Sequence, residues 1–195
     1  MSARENILSR VRKNRPSGNH ELPSIPHFVI QGGDQKLETF SKALKAMGGR
    51  LVRLAEIPSV RAWIREQFPD AKTICSAVPE VPSDRSWSAV RKPQDLADVD
   101  VGVVRAILGV AESGSVLFTE TELKVNTLAY LSQHLVVLLH AEAIVDGLQD
   151  AYRHAAFRTA RYAVYHTGPS ASADIEGVLF HGAQGVRSLT VILDG

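Results

Sequence analysis

The chain has 195 residues, with Lys+Arg 22 against Asp+Glu 21 and 45% hydrophobic residues. That length and composition suit one ordinary globular domain, with or without a short appendage, and exclude a wholly disordered chain. The formal charge of +1 lacks the basic excess of a dedicated nucleic-acid binder. No apolar run reaches the roughly 20 residues that span a bilayer.

The single cysteine, Cys75, excludes an internal disulfide framework and any Cys-rich zinc or iron–sulfur site within the chain. It fits a reducing compartment. The first residues, Met1-Ser2-Ala3-Arg4-Glu5, carry charge with no apolar run behind them, so they do not read as a signal peptide. The expected location is cytoplasmic, with no membrane span.

Residues 1–15 read as a basic helix. Ser2-Ala3-Arg4-Glu5 fits the S-x-x-E capping box, and Ile7, Leu8 and Val11 share a face. Arg10, Arg12, Lys13 and Arg15 load its far end, where the helix dipole favours cations. The helix is either a solvated element or an arm for an acidic partner. Pro16, Pro23 and Pro26 mark residues 16–26 as a linker, which leaves 27–195 as one α/β domain.

Within that domain His27-Phe28-Val29-Ile30-Gln31 is strand-like. Leu37, Phe40, Leu44 and Met47 have helical spacing, and Gly48-Gly49 is a stop. Leu51–Leu54 reads as a strand, Pro58–Phe68 as a helix and Lys72–Ser76 as a strand. Such β–α–β–α–β alternation predicts a parallel sheet with helices packed on it. Ala77–Asp100 is looser, with Trp87 as a packing residue or a lid. Val101–Val104 and Ser115–Thr119 are short apolar strands around Ala111-Glu112-Ser113-Gly114. His134–Leu139 has the composition of a strand buried on both faces. Ala141–His154 has the apolar spacing of a helix. Ala163–His166 is a strand, Thr167-Gly168-Pro169-Ser170 a turn, and Leu189–Leu193 a terminal strand.

The common chemical signatures are missing: there is no G-x-x-x-x-G-K-[ST], no G-x-G-x-x-G after the first strand, no H-E-x-x-H and no C-x-x-C. The seven histidines match no metal spacing, and no metal site is expected. Two segments stand out. Ala111-Glu112-Ser113-Gly114-Ser115 puts a carboxylate beside a glycine at a strand end. It is a ligand loop of an open α/β sheet or a plain tight turn. Gly168-Pro169-Ser170-Ala171-Ser172-Ala173-Asp174-Ile175-Glu176 follows a strand. Ser170 or Ser172 there can cap a helix whose free amides would take a carboxylate or phosphate. His181-Gly182-Ala183-Gln184-Gly185-Val186-Arg187 could add backbone amides and a cation, or simply connect to the last strand.

The residues of A-E-S-G-S at 111–115, G-P-S-A-S-A-D-I-E at 168–176 and H-G at 181–182 resemble the lactate utilization protein C family, the LUD domain. The likeness extends to the N-terminal helix and to the strand–helix pair at 134–150. It departs at Ala183, where the family carries proline. The resemblance implies a NagB/RpiA/CoA-transferase-like α/β fold with a mostly parallel, Rossmann-like sheet and flanking helices. It implies a component of the iron–sulfur-dependent system that oxidises L-lactate to pyruvate. With one cysteine the chain is expected to carry no cofactor itself, the clusters belonging to companion proteins.

Three functions follow. An accessory or ligand-binding subunit would hold a small carboxylate or phosphorylated ligand between Ser113, Gly114, Ser115, Gly168, Ser170, Ser172, Asp174, His181 and Gly182, beside Glu112. An independent CoA-transferase-like or sugar-phosphate-isomerase-like enzyme would use Glu112 as its catalytic carboxylate. A scaffold would need no pocket.

Overall fold

A computed structural model describes residues 2–16, 18, 21, 23–28, 35–169, 171–172, 180–181 and 185–195. The helices are α1 Ala3–Lys13, α2 Lys36–Ala46, α3 Val60–Gln67, α4 Glu120–Leu123, α5 Leu128–Leu131, α6 Leu148–Arg153 and α7 Ala155–Thr159. The strands are β1 Arg50–Arg53, β2 Ile74–Ser76, β3 Val101–Arg105, β4 Leu108–Val110, β5 Ser115–Thr119, β6 His134–His140, β7 Ile144–Val145, β8 Ala163–His166, β9 Ala171–Ser172, β10 Phe180–His181 and β11 Ser188–Asp194.

The centre is a five-stranded sheet, β1-β11-β6-β3-β2, in which every neighbouring pair is parallel. Parallel strands need both faces covered, and their sequences show it: Leu135–Leu139 and Leu189–Leu193 are buried without interruption. On one face α3 packs Val60, Trp63 and Ile64 over Val101, Val103, Val136, Leu138 and Ile192. Ser59 caps α3 by accepting from the Ala62 amide at 3.1 Å. The other face, with Val104, Leu135, Val137, Leu139 and Val191, meets Phe40 and Leu44 of α2, Leu128 of α5 and a second sheet. The α/β class with a mostly parallel central sheet and flanking helices is therefore the observed architecture.

The second sheet is four-stranded, β7-β4-β5-β8. β4 and β5 form an antiparallel hairpin, β8 runs antiparallel to β5, and β7 runs parallel to β4. β4 has no counterpart among the strands expected from the sequence. The expected helix over Ala141–His154 is also corrected. Ala141–Ala143 is a 3-10 turn, Ile144 and Val145 pair with Gly109 and Val110, and only Leu148–Arg153 is helical. Two β-branched residues beside an open sheet edge go to strand, and Gly147 then starts the helix.

The capping box of α1 is present, with Ser2 N–H donating to Glu5 Oε2 at 2.7 Å. No residue of α1 is buried, and Ile7 and Val11 are exposed. His27 and Phe28 are not in a strand; they lie on α6 through His27 Nε2–Asp150 Oδ1 at 2.8 Å and the Phe28 amide to Gln149 Oε1 at 2.9 Å. The rest of that expected strand, 29–31, lies outside the described residues. Trp87 sits at the surface with Lys124 Nζ 5.9 Å from its ring. Among the described residues no helix is long and apolar enough to cross a membrane.

Candidate functional site

The turn Ala111–Gly114 joins β4 to β5, so it belongs to the second sheet and not to the carboxyl edge of the parallel one. Gly114 takes φ 66°, and its amide donates to the Val110 carbonyl at 2.9 Å. A Cβ there would stand 2.2 Å from the Leu44 nitrogen, so only glycine lets the hairpin press against α2. Gly168, after β8, repeats the device: φ is 69°, and a Cβ would stand 2.0 Å from the Met47 carbonyl oxygen. Both turns therefore converge on the C-terminal end of α2.

Hydroxyls link the two turns. Ser113 Oγ lies 2.8 Å from Ser115 Oγ, and Ser115 Oγ hydrogen-bonds Thr167 Oγ1. Ser113, Gly114, Ser115 and Gly168 are thus brought together. Glu112 is oriented elsewhere. Its Oε2 accepts from the Leu148 amide at 3.1 Å, and its own amide donates to the Asp146 carbonyl at 3.0 Å. α6 starts at Gly147, which has no side chain to cap it, so Glu112 supplies the cap from another element. The carboxylate is solvent-exposed.

Beyond the second turn the chain enters β9, and Ala171 pairs with His181 and Ser172 with Phe180. Ser172 and His181 thus share one short antiparallel ladder. Ser170, Asp174 and Gly182, together with the helix that Ser170 or Ser172 was expected to cap, fall outside the described residues. Arg187 donates its amide to the Gln133 carbonyl at 2.7 Å and borders a hollow with Asp100 and His134, at the amino ends of the parallel strands.

Next to the joined turns is a cavity of about 250 Å³ lined by Tyr130, His166, Thr167, Gly168, Pro169 and Gly185 among others. Thr167 belongs both to this lining and to the hydroxyl chain. His166 ends β8 opposite Val116, with the Phe118 ring edge-on at 5.5 Å and the Tyr130 ring at 5.0 Å. Among the described residues its buried Nε2 has no hydrogen-bond partner. Burial pushes the imidazole down to about 4, so it is neutral near pH 7. Tyr130 hydrogen-bonds Tyr162 through their hydroxyls; burial, then that bond, raises the Tyr130 phenol far above its ordinary value. The cavity thus offers neutral donors and acceptors: an imidazole nitrogen, phenol and threonine hydroxyls, and backbone at two glycines.

His166, Tyr130 and Tyr162 are not among the site residues expected from the sequence. The available signal was the position of His166, on the Val164 face of a strand running directly into T-G-P-S. Among the described residues no group of three or more His, Cys, Asp or Glu side chains is placed to hold a metal ion.

Comparison with known proteins bears on the fold and the family. One solved structure, described as a crystal structure of a DUF162 family protein from Deinococcus radiodurans, superimposes with a TM-score of 0.63 at 15% identity. The match covers 83% of this chain and 97% of that one. The chain has no significant match among curated proteins. The family model of the LUD domain matches residues 28–193, and so takes in both turns, the cavity and the parallel sheet up to Leu193 of β11. The chain belongs to the LUD domain family.

Proposed function

We propose that this chain is a component of the iron–sulfur-dependent system that oxidises L-lactate to pyruvate, acting as an accessory, ligand-binding subunit. Membership of the LUD domain family, which is associated with lactate utilization, supports the pathway. The observation that carries the binding role is the hydroxyl chain Ser113–Ser115–Thr167 opening onto the cavity of His166. A small carboxylate bearing a hydroxyl would find donors in Thr167 and in backbone amides at Gly168 and Gly185. His166 Nε2 is a neutral partner for its hydroxyl. Ser170, Ser172, Asp174, His181 and Gly182 complete the pocket in this reading. With one cysteine in the chain, companion proteins hold the iron–sulfur clusters. The protein works in the cytoplasm.

The test is the double variant Ser170→Ala/Ser172→Ala. The expected result is loss of lactate-dependent growth and of lactate binding, with the fold intact by circular dichroism. Growth and binding both unchanged would overturn the assignment. Co-purification with chains carrying C-x-x-C-x-x-C motifs is the expected result for the pathway.

A further inference from the structure

The carboxyl ends of the parallel strands enclose a second cavity, of about 470 Å³, separate from the site above. Leu54 after β1, Val60 of α3, Val81 from the loop after β2, and Leu138 of β6 form apolar walls. Three charged groups face it: Arg105 at the end of β3, Asp194 at the end of β11, and Glu80 from the loop. A fourth, Arg61, is occupied by Asp84 Oδ1 at 2.6 Å. An apolar hollow with a few converging polar groups is the usual make-up of a small-molecule site. Open α/β sheets place their ligands at this edge.

Strand residues aim Arg105. Its Nη1 donates to His140 Nε2 at 3.1 Å, and His140 Nδ1 lies 3.4 Å from Asp194 Oδ2. Asp194 Oδ2 is also 3.8 Å from Nη1. The other nitrogen, Nη2, is covered by the Glu80 carboxylate. That carboxylate comes from a loop, with its side chain 45% exposed, whereas Arg105 is held among strand ends. Glu80 therefore makes, from a replaceable position, the bond an incoming carboxylate would make. The first amides of α3, at Val60 and Arg61, donate to no protein group among the described residues and add a positive edge to the same hollow.

We propose that this cavity binds an organic acid with an apolar body, its carboxylate taking the place of Glu80 on Arg105 and its hydrocarbon part lying between Leu54, Val60, Val81 and Leu138. A three-carbon hydroxy acid would leave those walls unfilled, so this ligand differs from that of the serine-turn pocket, and the inference does not rest on that pocket.

The experiment titrates the full chain with hexanoate and benzoate, with hexylamine as the cationic control, following backbone amide resonances. Saturable shifts at Val81, Arg105 and Leu138 are expected with the acids and not with the amine. Glu80→Gln removes the internal competitor and should tighten binding about two- to fivefold, the scale of an exposed ion pair. Arg105→Met should weaken it at least about tenfold, as loss of a charge-assisted bond does. Should Arg105→Met not fold, the exposed Glu80→Gln variant still decides. No saturable shift with either acid, equal binding of hexylamine, or weaker binding by Glu80→Gln would overturn the proposal.

Discussion

The hydroxyl of Ser115, at the start of β5, hydrogen-bonds the hydroxyl of Thr167, just past the end of β8. The two strands are antiparallel neighbours, with Val116 opposite His166, so the contact closes the ladder at the end that bears both turns. Ser115 is buried, and Ser113 adds a third hydroxyl at 2.8 Å. A double-mutant cycle of Ser115→Ala and Thr167→Val should therefore show coupling of about 0.5–1.5 kcal/mol in urea unfolding, the usual scale of a hydrogen bond between partners in contact. Strictly additive effects would mean that the two turns are held together by packing alone.

Gly114 and Gly168 pose a sharper test, because backbone geometry forbids a side chain at each. Both have positive φ, and both would drive a Cβ into backbone atoms near the end of α2. Gly114→Ala and Gly168→Ala should each cost more than about 2 kcal/mol, combining left-handed strain with a clash that no rotamer relieves. Unfolding midpoints measure this. Gly195→Ala is the control: its φ is also positive, but a Cβ there meets nothing within 4 Å, and its loss should be markedly smaller.

Glu112 separates structure from catalysis cleanly. If its carboxylate serves to cap α6, Glu112→Gln keeps an acceptor for the Leu148 amide and should be nearly silent, whereas Glu112→Ala should cost about 0.5–1 kcal/mol. Thermal melts give the stability half of the test and lactate-dependent growth the functional half. Loss of growth in a stably folded Glu112→Gln variant would instead make the carboxylate a catalytic group.

What the sequence made legible were features written in contiguous residues. The runs at 134–139 and 189–193, apolar but for His134 and Thr190, correspond to central strands covered on both faces. The cap at Ser2 and the helix stop at Gly48 are local chemistry and legible as such. What stayed hidden depends on partners distant in the chain. Ile144 and Val145 carry a helical apolar spacing, yet β4, a strand of three residues, recruits them into a sheet. Glu112 reads as a lone acid in a turn because the uncapped amide it serves is 36 residues away. His166 reads as one histidine among seven because the rings that bury it, Phe118 and Tyr130, come from β5 and α5.

That burial gives His166 a signature in pH. Desolvation holds its pKa near 4 in the folded chain, against about 6.5 when unfolded. Between those values the unfolded chain binds the extra proton, so stability rises with pH through this window and is lost as pH falls from 6.5 towards 4. His134 is also shifted down, first by burial and then by Arg187, and contributes in the same direction. The combined acid-linked loss should therefore be partly, and not wholly, removed by His166→Phe. In wild type the loss attributable to His166 at pH 4.5 should be on the order of 1–3 kcal/mol relative to pH 7. Urea midpoints at pH 7, 6, 5 and 4.5 for wild type, His166→Phe and His134→Phe resolve the two contributions. Parallel pH profiles for wild type and His166→Phe would show that the imidazole already titrates freely in the folded protein. The cavity would then be wet, and open to charged ligands that a neutral imidazole would not attract.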